Sequence, residues 1–210
     1  MPLNTLEDLL VCELHDLHSA AKQWMNALPK MARAASSLRL RRGFEGQIEQ
    51  SHRRVQCLEE ILDRLRKSAR PTMFDTADTT VDVLMPLGEW VTVDSSKAPR
   101  RRQQKSYGTD LTASAAEPMC ASMEALLQQG EKIIEQAAQP QVKDAGLIAQ
   151  VQRVEHYEIA GYRAARAHAR LLRDIETERS LEQTLQEIER TDETLTELAE
   201  REINIEASRT

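Results

Sequence analysis

Aromatic residues make up only 3% of the 210-residue chain, and glycine and proline contribute seven residues each. With abundant Ala, Leu, Glu, Gln and Arg in their place, that scarcity argues for an all-α protein, most naturally a helix bundle. Cysteine is equally sparse: Cys12, Cys57 and Cys120 lie far apart and show no CxxC spacing. They suggest neither a disulfide framework nor a zinc site, and a reducing cytoplasm is the expected location. No apolar run approaches the roughly 20 residues needed to span a bilayer. The opening MPLNTLEDLLVCELHD carries acids where a secretory leader would carry bases, so neither a membrane span nor a signal peptide is expected. A formal charge of −6 gives no general attraction to nucleic acid or to an anionic membrane surface. What remains is a chain long enough to bury its own core.

That core is written as helical stripes. In the first segment Leu6, Leu10, Leu14, Leu17, Ala21, Trp24 and Leu28 recur at a 3.6-residue period, with Asn4 or Thr5 as the cap and Glu7 and Asp8 at capping-box spacing. Pro29 is read as its end. A second stripe, Leu40, Phe44, Ile48, Ser51, Val55, Leu58, Leu62 and Leu65, predicts a helix over about residues 39–67. Two such helices joined by a short link should pack as an antiparallel hairpin, residues 1–68. Residues 69–118 break the rhythm with four prolines, many Ser and Thr, and the basic run Arg100, Arg101 and Arg102. They read as an irregular, mobile insertion in which residues 80–94 can form a small β-hairpin on either side of Pro-Leu-Gly. Helical pattern returns over residues 119–205, in segments at about 119–136, 142–173 and 180–203, which completes one domain.

Within the 142–173 segment, RVEHYEIAGY carries acids where apolar residues belong. The stripe Leu147, Ile148, Val151, Val154, Tyr162, Ala165, Ala169 and Leu172 includes the angular positions of Glu155 and Glu158. Asp192 falls inside the last stripe, Leu181, Leu185, Ile188, Leu195 and Ala199. An ionised carboxylate buried without a partner costs several kcal/mol, so a metal, a basic side chain or a proton is expected against these acids. Arg54, on the flank of the second stripe, is the candidate basic partner, reaching for Glu158 or Asp192.

Long helices with inward carboxylates describe the ferritin-like bundle. The segments LEDLLVCELHDLHSAAKQWMNALPKMARAA, CASMEALLQQGEKIIE, VKDAGLIAQVQRVEHYEIAGY and TLQEIERTDETLTELA together resemble the YciE/YciF-type ferritin-like stress proteins of bacteria. VxDAxLI followed by EHYEIAxY is the most specific part, and the likeness covers most of the chain outside 69–118. The resemblance implies a four-helix bundle with an additional short helix, a homodimer, stress-linked expression and a dinuclear iron or manganese site. It also exposes departures. Ala21 stands where the family pattern has Glu, Gln47 and Gln50 replace the His and Glu of HxxET, Gln129 replaces a third-helix Glu, and Ile188 replaces one of a Glu pair. Glu155, Glu158 and Asp192 remain as metal-ligand candidates, fewer than the four carboxylates and two histidines usual for a di-iron centre. The expectation is therefore a stress-associated structural or interaction protein with a degenerate, metal-poor site and no resident cofactor. The competing expectation is an iron- or manganese-dependent oxidoreductase reacting with oxygen or peroxide on Glu155, Glu158 and Asp192.

The remaining chemistry-bearing residues read as structural. Glu49 and His52 have ExxH spacing but lie off the Phe44, Ile48, Val55 stripe. His156 projects away from its stripe, and His15 and His18 bracket the polar side of the first helix. No nucleophile elbow or phosphate-cradling glycine loop is present, so no catalytic residue is assigned. The Arg100 cluster lacks interleaved aromatics and reads as linker, which makes nucleic acid an unexpected partner and leaves a protein partner open.

Overall fold

The structure, a computed structural model, describes residues 3–68 and 119–210, together with the backbone of residues 80–84 and 90–94. The expected mobility of 69–118 and the Arg100 cluster lie outside the described residues. The chain divides into two compact units, residues 1–64 with 114–210, and residues 65–113. In the second, β1 (Thr80–Leu84) and β2 (Trp90–Asp94) pair antiparallel, with Thr80 opposite Asp94 and Leu84 opposite Trp90.

The first unit is an all-α ferritin-like bundle of α1 (Leu6–Ala34), α2 (Leu38–Ser68) as far as Arg64, α4 (Pro140–Leu171) and α5 (Ile175–Leu198), with the shorter α3 (Ala121–Gln136) added. Thr5 caps α1: its hydroxyl accepts from the Asp8 N–H at 3.0 Å while Asp8 Oδ2 accepts from the Thr5 N–H at 3.0 Å. Leu10, Leu14, Leu17, Trp24 and Leu28 are all buried. Contrary to the sequence reading, α1 does not stop at Pro29 but continues five residues to Ala34. A proline inside a helix costs about 3 kcal/mol, and burying Leu28, Met31 and Ala32 around it returns a comparable amount. Past Ala34, the Asp144 carboxylate of α4 accepts from the Ser36 and Ser37 N–H groups at 2.8 and 2.7 Å, which fixes the α1–α2 turn.

α4 packs beside α1 and α5, and α3 lies on α1 and α4. α2 is tied to α1 by His18 with Glu59 at 3.1 Å and to α5 by Arg64 Nη2 donating to Thr177 Oγ1 at 2.6 Å. α2 and α4 therefore face each other across the bundle. α3 approaches closely at Gly130, where a Cβ would sit 2.6 Å from Met31 Cε and 3.1 Å from Gln150 Cγ. Gln129, the position expected to have lost an inward glutamate, is exposed, and its neighbour Gly130 is the buried residue. His18, read as lying on the polar side of α1, is buried against Glu59.

The α4–α5 turn is tight. Arg173 adopts φ 60°, a left-handed conformation that penalises a Cβ. Asp174 then caps α5 by accepting from Thr177 N–H at 3.1 Å and from Arg64 Nη1 at 3.0 Å. Burial pushes the Asp174 carboxyl up, but the Thr177 and Arg64 hydrogen bonds outweigh it and hold the group below the usual range. The helix starts at Ile175 rather than near 180, because the first-turn residue that faces the core is the polar Thr177 while Ile175 lies exposed, off the buried stripe. Replacing exposed Arg173 by glycine removes the left-handed penalty, and Arg173→Gly is expected to stabilise the protein by about 1 kcal/mol in urea denaturation. α5 passes into a π-turn (Ala199–Ile203) and a last short helix, α6 (Asn204–Ala207). No helix among the described residues is long and apolar enough to cross a membrane.

Candidate functional site

Polar side chains interrupt the apolar core where α2 faces α4. On α2, Gln47, Ser51 and Arg54 follow one another at four- and three-residue steps and are all buried. On α4, Glu155, Glu158 and Tyr162 follow at three- and four-residue steps and are buried too. Both triplets sit on otherwise apolar stripes, so folding those stripes together drives the polar groups into the centre whatever their own preference for water.

The two sets meet in one ion pair. Arg54 Nη1 donates to Glu158 Oε2 at 2.8 Å, with side-chain exposures of 2% and 1%. Arginine cannot shed its proton in a protein, so an anion must stay beside it, and Glu158 is the carboxylate in contact. Burial pushes the Glu158 carboxyl up, and Arg54 pulls it back only in part, leaving it above its ordinary value. Glu155 is fully buried, and neither of its oxygens has a hydrogen-bond partner among the described residues. Burial raises its pKa to about 9; Arg54 opposes the rise, and Asp192 and Glu158 add to it. At neutral pH the centre therefore holds one guanidinium, one carboxylate and one neutral carboxylic acid. The Tyr162 hydroxyl, also buried beside Glu158, is pushed far above its ordinary value by burial.

Asp192 does not join them. It lies at the seam of α4 and α5, with 18% of its side chain exposed, 3.3 Å from His156 Nε2 and accepting from Gln152 Nε2 at 3.1 Å. Gln152 also donates to Thr196 at 2.8 Å, so the carboxylate belongs to a surface network rather than to the bundle centre. Being mid-stripe in α5 was an insufficient guide, because Gln152 and His156 reach round from α4 and hold this short side chain at the rim.

The remaining candidates are dispersed. Ala21 is buried and offers no donor, and Ile188 is part of the core. Glu49 pairs with Arg53 on the outside of α2 at 3.1 Å, and His52 binds the Ile48 carbonyl at 2.8 Å. Tyr157 donates its hydroxyl to Asp16 on α1 and lies 3.0 Å from Cys120 Sγ, at the seam of α1, α3 and α4. Asp144, to which the sequence reading gave no role, falls on the same stripe as Glu155 and Glu158, and that position was the available signal.

A dinuclear metal centre needs a cage of carboxylates and imidazoles with one sign of charge to neutralise. The residues here do not fit one. Arg54 directs a cation at Glu158, and its remaining nitrogens, Nε and Nη2, lie buried without partners among the described residues and would oppose a dication at this point. Among the described residues, no group of three or more His, Cys, Asp or Glu is arranged to hold an ion.

Comparison with known proteins agrees with this architecture. Protein YciF of Escherichia coli (strain K12) is 28% identical over 207 residues, covering 99% of this chain and 98% of that one. The crystal structure of that E. coli stress protein superposes with a TM-score of 0.68 at 27% identity, over 96% of this chain and 98% of the other. YcfI from Rhodopseudomonas palustris shares the fold, with a TM-score of 0.66 at 23% identity over 92% and 94% of the two chains. Residues 5–93 and 107–208 match the model of a family described as a domain of unknown function, DUF892. A match over most of the chain makes this protein a member of the DUF892 family.

Proposed function

We propose that this protein is a stress-associated structural or interaction protein, without catalytic turnover, in which an arginine supplies the positive charge that a ferritin-like centre takes from metal. The observation that carries the reading is the buried contact from Arg54 Nη1 to Glu158 Oε2 at 2.8 Å. A guanidinium in that position compensates one carboxylate permanently, and the second, Glu155, is kept neutral by its raised pKa. Both acids are then satisfied in charge by the chain itself. The stress association rests on the relationship to the E. coli stress protein YciF. A cytoplasmic homodimer that meets a protein partner is the working form this reading assigns.

An iron- or manganese-dependent oxidoreductase on Glu155, Glu158 and Asp192 is disfavoured, because Asp192 is engaged with Gln152 and His156 while Arg54 faces Glu158. Metal analysis of protein purified from iron- or manganese-supplemented medium separates the two readings. After mild dialysis the expected content is well below one equivalent per chain, and about two equivalents per chain, the stoichiometry of a dinuclear site, would sink the proposal.

A further inference from the structure

Two glycines in α2 have no packing reason to be there. Gly43 and Gly46 lie one turn apart inside the helix, each costing about 1 kcal/mol relative to alanine. A Cβ built on either meets no atom within 4 Å, so neither permits the close approach that Gly130 does. What they border instead is a cleft of about 480 Å³ between α2 and α5.

The cleft is basic. Arg42, Arg53 and Arg190 line it, against the single carboxylate of Glu187. Arg53 has only an exposed, and therefore weak, pairing with Glu49 at 3.1 Å. Arg42 and Arg190 form no ion pair among the described residues. A second, independent feature lies in the same lining: Gln47 is 2% exposed, and its Nε2 has no hydrogen-bond partner among the described residues. A buried amide donor left unsatisfied costs about 1–3 kcal/mol unless something accepts from it. Three guanidinium side chains, a buried N–H donor and bare glycine backbone in one lining are the parts of an oxyanion site.

We propose that the α2–α5 cleft binds a small phosphorylated molecule, whose phosphate oxygens are held by Arg42, Arg53 and Arg190 and accept from Gln47 Nε2, with the glycine wall admitting the body of the ligand. Its volume lies within the range of small-molecule sites and exceeds what one phosphate group fills. Gln47 also belongs to the buried α2 triplet, but the site uses none of Arg54, Glu155 and Glu158, so the pyrophosphate test and the metal analysis can fail separately.

Isothermal titration of the full chain with inorganic pyrophosphate, at fixed ionic strength, tests it. Saturable binding at one equivalent per chain is expected. It should weaken about tenfold in Arg190→Ala and about a hundredfold in the Arg42→Ala, Arg190→Ala double variant, one charge-assisted contact being lost each time. Gly46→Leu is the decisive variant, because its side chain enters open space and suits a helix: its melting temperature should match or exceed the wild type while pyrophosphate binding disappears. No saturable binding by the wild type, or undiminished binding by Gly46→Leu, overturns the proposal. Conversion of a dimer to monomers by Gly46→Leu, with no pyrophosphate binding by the wild type, overturns it as well and makes the glycine face a contact between copies.

Discussion

Glu155→Gln is expected to make the protein more stable at neutral and alkaline pH, and to remove most of the pH dependence of stability in that range. In the folded chain the Glu155 carboxyl titrates at about 9, whereas the unperturbed value is 4.5. Below the lower of these both folded and unfolded chains hold the proton, and the group's contribution is fully present. Between the two values the unfolded chain has released its proton and the folded chain has not, so stability falls by about 1.4 kcal/mol per pH unit. By pH 7 the accumulated loss is about 3 kcal/mol, and above the folded value it levels off. Glutamine keeps the shape and has no proton to lose. Urea denaturation at about pH 5.5 and pH 8.5 should show the wild type losing about 4 kcal/mol between them and Glu155→Gln losing little. Parallel profiles for the two proteins would mean that Glu155 is ionised in the folded state, and the charge count at the bundle centre would be wrong. Carboxylates with lowered values act in the opposite direction and in a separate window. Hydrogen bonding to Thr5 and Asn4 lowers Asp8, and the Thr177 and Arg64 contacts lower Asp174, so their stabilisation is present above the unperturbed 3.8 and is lost only as pH falls through their folded values.

The parts of this arrangement that the sequence made legible are those governed by helical periodicity. Leu10 through Leu28 on α1, Phe44, Ser51, Val55, Leu58 and Leu62 on α2 and Leu147 through Ala169 on α4 are buried as their spacing predicts, whereas Ile48 is only partly buried and Leu172, just past the end of α4, is exposed. The same angular reasoning put Glu155 and Glu158 on the core face, because a stripe carries every residue at its angle inward, polar or not. What periodicity cannot give is the partner of a polar group. Asp144 shares the stripe of the two glutamates, yet its partners are backbone N–H groups 107 and 108 residues away, at a turn with no side-chain signature for them. Asp192 fails in the other direction. It is three residues before buried Leu195 and four after buried Ile188, and its carboxylate still reaches the rim because Gln152 and His156 provide better company there than the core does. Gln129 and Pro29 mark a third limit. Residue-by-residue transfer of a family pattern mistook the exposed Gln129 for an inward position beside Gly130, and a local stop signal at Pro29 was overridden by burial on both sides of it.

The Arg54–Glu158 pair should behave as a coupled unit, and its two halves should fail differently. Arg54→Met leaves Glu158 buried with Glu155 and no cation. Glu158 can then take up a proton, so the variant should fold well near pH 5 and lose stability as pH rises, since the unfolded chain releases that proton at about 4.5 and the folded chain does not. At pH 8 a loss of about 3–5 kcal/mol is expected, the usual effect of breaking a buried pair. Glu158→Leu leaves a guanidinium that cannot neutralise, and here the loss should be present at acid pH too. It should be softened above neutrality, because Arg54 already acts to lower the Glu155 value, and Glu155 would ionise to take over as its anion. Replacing both partners, Arg54→Met with Glu158→Leu, removes the charges together and leaves Glu155 protonated. That double variant should regain wild-type stability or exceed it, because two apolar side chains need no desolvation of charge. Urea denaturation of the four proteins in chelator-treated buffer at pH 5 and pH 8 gives the coupling directly. If the two single losses simply add in the double variant, or if Arg54→Met melts with the wild type at both pH values, the arginine does not compensate the acids and the charge-replacement reading falls with it.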